Sequence, residues 1–253
     1  MIRFSVCLET IFNALPLAER IEQAAACGVA AIEFWQWKDK DLDVIARGKE
    51  AAGVDVAALG GLEQAIPNDP ATADAATAEL LESVATARQI GAKGVIVHTG
   101  QALKDLGRDV QFETVAQVID AAADEAGRAH ADLLLEPRNA RTDFPGTLLS
   151  STAEALTIID RIDRPNVKLL FDVYHQFITE GSVLHLIEAH IDRIGHFHVA
   201  DVPGRGEPGT GALEYKEIFG LIDSLGYTGY VGLEFNPSGD HAEAVKNTLN
   251  LSD

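Results

Sequence analysis

The chain has 253 residues, 47% of them apolar, which is enough for one large core. Its formal net charge of -19, from 39 acidic against 20 basic residues, repels polyanions and argues against a nucleic-acid partner. No apolar run reaches the ~18 residues a membrane span needs, and Met1-Ile-Arg-Phe-Ser-Val leads straight into a strand pattern without a signal-peptide core. The two cysteines, Cys7 and Cys27, lack metal-finger spacing and read as reduced, buried thiols, so a cytoplasmic protein is expected. Acidic residues are spread over helical faces and lysine is scarce, a composition shared by salt-adapted proteins and ordinary acidic enzymes.

Strand-like runs fall at residues 2–8, 31–35, 54–59, 94–98, 132–136, 167–172, 194–199 and 229–235, with helical periodicity between them. In the segment 71–90, for example, Ala75, Ala78, Leu81, Val84, Ala85 and Ile90 follow a period near 3.6. Gly28, Gly53, Gly91 and Gly226 stand where helices should end before the next strand. Alternating units with continuous apolar strands predict a parallel sheet covered by helices. Eight such units predict an α/β protein, a single (β/α)8 TIM barrel over 1–253, rather than an open sheet.

The first strand leads to Glu9, the second ends at Trp35 and the third runs into Gly60-Gly61. Trp35, Trp37 and Phe12 suit either an aromatic wall over a substrate or an interface in a homo-oligomer; the wall is preferred for Trp35. His98, ending the fourth strand, is a candidate to touch substrate. The last four strands carry the main signal: Asp132-Leu-Leu-Leu-Glu136, Lys168-Leu-Leu-Phe-Asp172, Gly195-His-Phe-His198 and Tyr230-Val-Gly-Leu-Glu234. Each is an apolar run ending in a group that a core does not tolerate unpaired.

At the C-terminal mouth of a barrel, Glu136, Asp172, His198 and Glu234 can surround one divalent cation. Three carboxylates and an imidazole suit Mg2+, Mn2+ or Co2+, whereas structural zinc would recruit cysteines. If His198 points inward so does His196, one layer deeper, as a hydrogen-bonded core histidine. His130, His185, His190 and His241 fall on predicted helices or loops and are expected at the surface. Gly204-Arg-Gly-Glu-Pro-Gly-Thr-Gly211 contains Pro208 and follows the seventh strand, so it reads as a functional loop rather than a dinucleotide or Walker motif.

The ordered set Leu135-Glu-Pro, Phe171-Asp-Val-Tyr-His175, His196-Phe-His-Val-Ala-Asp201, Gly204 to Gly211 and Gly232-Leu-Glu-Phe resembles the hydroxypyruvate isomerase branch of the xylose-isomerase-like TIM barrels. The resemblance implies the same four metal ligands, with Glu136 and Glu234 also transferring protons through an enediolate. It further implies that His175 and Arg205 contact substrate oxygens, and Glu207 is placed to orient Arg205. The implied reaction is isomerisation of a small hydroxycarbonyl compound, hydroxypyruvate to tartronate semialdehyde first, with Arg205 holding the carboxylate. Two departures favour a ketose 3-epimerase instead: His198 stands where glutamine is common in the isomerases, and Ala58-Leu-Gly-Gly-Leu62 lacks a polar pair. Two other classes on this fold, an apurinic-site endonuclease and a non-catalytic scaffold, fit less well. The first needs early-strand histidines and a basic groove; the second has no use for four ligand-type strand ends.

Overall fold

The computed structural model describes residues 1–252. Eight strands, β1 (Arg3–Cys7), β2 (Ala31–Phe34), β3 (Asp55–Gly60), β4 (Gly94–Val97), β5 (Asp132–Leu135), β6 (Val167–Asp172), β7 (Ile194–Val199) and β8 (Tyr230–Leu233), pair in sequence order. All neighbours are parallel, and β1 closes on β8 with Arg3 opposite Tyr230. The helices are α1 (Leu17–Ala26), α2 (Leu42–Ala52), α3 (Ala73–Ile90), α4 (Arg108–Arg128), α5 (Thr152–Ile162), α6 (Val173–Glu180), α7 (Val183–His190), α8 (Tyr215–Ser224) and α9 (His241–Leu249). The predicted strands are recovered to within one or two residues. No helix among the described residues is long and apolar enough to cross a membrane.

Strand alternation sorts side chains into two layers. Leu133, Leu135, Leu169, Phe171, Phe197, Val231 and Leu233 face outward into the main core beneath the helices. The alternate residues fill the lumen, and here the barrel is divided. Ala58, Ile96, Leu134 and Leu170 from β3–β6 make a dry layer. Ser5, Glu33 and His196, from β1, β2 and β7, form a buried polar group on the other side.

Two glycines are fixed by this packing. A Cβ on Gly60 would lie 2.0 Å from the Trp35 carbonyl oxygen, so the end of β3 can pass β2 only without a side chain. A Cβ on Gly232 would lie 2.5 Å from Glu33 Oε1 and 2.8 Å from His198 Cδ2. The absent side chain of Gly232 is the space those two groups occupy.

Candidate metal centre

The next inward position after each dry or polar lumen layer is the mouth. On β5 to β8 it is held by Glu136, Asp172, His198 and Glu234, all buried. Each of the four offers a ligand-type atom within 4.8 Å of those of the others. His198 Nδ1 lies 3.2 Å from Glu234 Oε2 and 3.7 Å from Glu136 Oε1, yet it has no partner with hydrogen-bond geometry. Burial and the charges of Glu136 and Glu234 push the Asp172 carboxyl up, against the pull of His175 and Arg205. Burial alone would also raise the other two carboxyls. His98 and His198 hold Glu136 well below its usual range, and Arg205 with His198 holds Glu234 at about 2. Three buried carboxylates converging with an unpartnered imidazole nitrogen fit a divalent cation.

Beneath His198 lies a group that sequence reasoning missed. Glu33 accepts from Ser5 Oγ at 2.7 Å, sits 2.9 Å from His196 Nε2, and places Oε1 at 3.0 Å from His198 Nε2. His196 and His198 overcome the desolvation of Glu33 and keep its carboxyl far below the ordinary value. Burial would depress His198, but Glu234 and Glu33 raise it instead. The Glu33 carboxylate thus places negative charge behind Nε2 at ion-pair distance, without hydrogen-bond geometry, while Nδ1 faces the cluster. His196 is thus a hydrogen-bonded core residue of the same network.

The cluster is the floor of a cavity of about 290 Å³, the small end of ligand sites. Its walls include Trp35, Leu62, His98, Arg138, Phe144, His175 and Arg205. Trp35 donates its indole N–H to Glu234, and His98 Nε2 is hydrogen-bonded to Glu136. Arg205 pairs with Glu234 and, at 3.3 Å, with Asp172 Oδ2. For His175 the tautomer follows from its surroundings. Asn139 Oδ1 accepts from Thr142 N, Thr142 Oγ1 and Asp143 N, which turns the Asn139 amide nitrogen onto His175 Nδ1 at 2.8 Å. Nδ1 is therefore the acceptor, and the proton lies on Nε2, which is buried without a partner beside the cavity.

Two expectations, for Glu207 and His241, need correction. Glu207 does not orient Arg205: its carboxylate accepts from Ser238 N and Oγ, because the turn between them carries the two side chains apart. The residue that shapes this loop is Asp201, whose buried carboxylate accepts from the N–H groups of Val202, Gly209, Gly211 and Leu213. It holds the turn in which Arg205 adopts φ 58°. Of the aromatics left open between a wall and an interface, Phe12 and Trp37 do not line the cavity. Phe12 is buried against His241, whose Nδ1 accepts its N–H, so His241 is not a free surface residue either. Trp37 points into the helical layer and donates to Ser83 Oγ. Phe144, which carried no sequence expectation, supplies an aromatic face in their place.

Residues 21–251 match the model of the xylose isomerase-like TIM barrel family. The hydroxypyruvate isomerase of Escherichia coli strain K12 is 32% identical, the alignment covering 94% of each chain. The 2-oxo-tetronate isomerase of Cupriavidus necator is also 32% identical, again over 94% of each. A crystal structure described as an AP endonuclease, family 2, from Brucella melitensis superposes with a TM-score of 0.93 over both whole chains at 29% identity.

Proposed function

The chain belongs to the xylose isomerase-like TIM barrel family, and on that premise we propose that it is a metal-dependent isomerase of a small hydroxycarbonyl compound, hydroxypyruvate first. The observation that carries this reading is the buried cluster of Glu136, Asp172, His198 and Glu234 at the floor of a small cavity. These four residues would hold the cation, and Mg2+, Mn2+ or Co2+ suits their mainly oxygen donor set. When bound, the cation supplies Lewis-acid polarisation of the carbonyl and charge to offset the developing enediolate.

The protein's own groups then divide the work. Glu136 and Glu234 line the cavity and are held ionised, the state a base requires. One removes the proton α to the carbonyl, and the same or the other returns a proton to the neighbouring carbon. His175 offers its Nε2–H to a substrate oxygen, and Arg205 a guanidinium edge. Trp35 and Leu62 cover the substrate and exclude water. Delivery to the adjacent carbon gives aldose–ketose isomerisation; delivery to the opposite face of the same carbon gives epimerisation. A ketose 3-epimerase is the second reading, favoured by His198 in the ligand set. The net charge of -19 and the absence of early-strand histidines speak against a nuclease.

The test is kcat/KM for hydroxypyruvate against erythrulose, tagatose and fructose, each with Mg2+, Mn2+ and Co2+. The expected result is a preference for hydroxypyruvate with tartronate semialdehyde as product. A clear preference for a neutral ketose would move the enzyme to the epimerases.

A further inference from the structure

In a chain with almost twice as many acidic as basic residues, nine of the twelve arginines find an acceptor or carboxylate. Among the described residues Arg47, Arg138 and Arg141 make no side-chain hydrogen bond or ion pair, and Arg47 and Arg141 are exposed. Arg138 is different: it is half-buried and lines the cavity two residues beyond Glu136. Its backbone N–H is fixed to the Leu149 carbonyl at 3.1 Å. Its guanidinium carbon sits 3.9 Å from the Phe144 ring centroid, so one face is stacked on the ring. Stacking occupies a guanidinium face and leaves the in-plane N–H edge for an acceptor. Phe144 is itself braced, meeting the His175 ring edge-on at 5.6 Å.

We propose that Arg138, stacked on Phe144, is the anion subsite of this cavity and receives the carboxylate of a 2-oxo or hydroxy acid substrate in a two-pronged hydrogen bond. This rests on the isomerase reading and gives it a substrate class. Arg205 is less suited to the task because Asp172 and Glu234 already engage its guanidinium. Arg138 has no such partner, and a half-buried guanidinium without an acceptor is costly. A substrate carboxylate would relieve that cost where a neutral hydroxymethyl group would not. Arg138 lines the same small cavity as Glu136, His198 and Glu234, so one small substrate would meet both the subsite and the ligand cluster.

Hydroxypyruvate and dihydroxyacetone form a matched pair, identical except that a carboxylate replaces a hydroxymethyl group. Equilibrium-dialysis binding of each to the Mg2+-loaded protein, wild type and Arg138→Met, reads the subsite whether or not isomerisation proceeds, because hydroxypyruvate and its aldehyde isomer carry the same carboxylate. The wild type should prefer hydroxypyruvate, and Arg138→Met should weaken that ligand roughly 10- to 100-fold, the scale of a charged two-pronged bond. Dihydroxyacetone should change by less than about twofold, and Arg138→Lys should recover part of the loss. Unfolding temperature, measured alongside, confirms that the variants fold. Equal affinity of the wild type for the two ligands, or an undiminished affinity for hydroxypyruvate in a folded Arg138→Met, overturns the subsite. Turnover is scored separately: Arg138-dependent binding without any conversion would sink the isomerase reading and leave the subsite standing.

Discussion

On the β5–β8 side of the mouth every strand ends in a buried group able to ligate a cation. On the β1–β4 side the corresponding positions carry Glu9, Trp35, Gly60 and His98. The ligand side is fully packed, whereas Trp35 is 40% exposed and the His98 side chain 29%. Glu9 is diverted from the cavity altogether, pairing with Lys40 at 2.6 Å and accepting from Trp35 N at 3.0 Å. The lumen repeats the asymmetry one layer down, but rotated: the dry layer spans β3–β6, while the network around Glu33 spans β1, β2 and β7. On the proposed function, the buried charge of one half of the mouth would set the reaction type. The other half, with Arg138 and Phe144 on the loop after β5, would on the same reading shape what can enter.

The largest effects should come from the ligand side. Glu136→Gln or Glu234→Gln should keep the fold and lose about 10²–10⁴ in kcat. Cation occupancy must be measured in parallel, and near-normal turnover at full occupancy would reduce that glutamate to a bystander. Next is the support beneath it. Glu33→Gln should weaken cation affinity by roughly 10- to 100-fold, the usual cost of losing the partner of a ligating histidine. Gly232→Ala should do likewise, since its Cβ would displace Glu33 and His198 together. A cation titration unchanged in both variants would show that His198 needs no such orientation.

Smaller effects belong to the wall. Trp35→Phe removes the N–H donated to Glu234 while keeping an aromatic face. It should shift relative kcat/KM between substrates by about tenfold, the scale of one pocket contact, with cation affinity unaltered. A fall in cation affinity would mean that the two halves are not separable. The wall also has its own acid sensitivity. Glu79 accepts from the N–H groups of Glu63, Gln64 and Ala65, and from Lys38 Nζ at 2.8 Å. Burial raises its pKa, but Lys38 and those N–H groups outweigh it and hold the carboxyl below its ordinary value. A depressed pKa contributes stability above the unfolded value of about 4.3, lost as pH falls through the folded one. Amide protection factors at 63–65, corrected for the intrinsic pH dependence of exchange, should therefore fall on acidification before those of β5–β8, and Glu79→Gln should reproduce the fall at neutral pH. Uniform exchange would remove Glu79 as the anchor. The least effect is from salt: with a net charge of -19, molar KCl should raise Tm by about 2–4 °C, equivalent to ~1 kcal/mol. A flat Tm would leave the acidic composition without this role.

The barrel and its four ligand-type strand ends were legible because both follow a local rule. Apolar runs punctuated by glycine mark the strands, and a charged residue ending such a run must be paired. The same rule applied to Ala31-Ile-Glu-Phe-Trp35 points to Glu33, but a glutamate in mid-strand shows its partners only once β1, β2 and β7 are known to face one lumen. Glu207 illustrates the opposite error, since nearness in sequence to Arg205 is no guide to contact across a turn containing φ values of 89° and 58° at Gly204 and Arg205. Arg138 carried no signal of its own: an arginine after Glu-Pro is ordinary until Phe144 is seen beneath it.

The most direct measurement is a cation titration of the metal-stripped protein with hydroxypyruvate turnover followed at each point. One equivalent of Mg2+, Mn2+ or Co2+ per chain should restore activity in step with occupancy, and His198→Ala should abolish both. Full turnover at zero occupancy, or an unchanged titration in His198→Ala, would contradict the assignment of Glu136, Asp172, His198 and Glu234 as a catalytic metal centre.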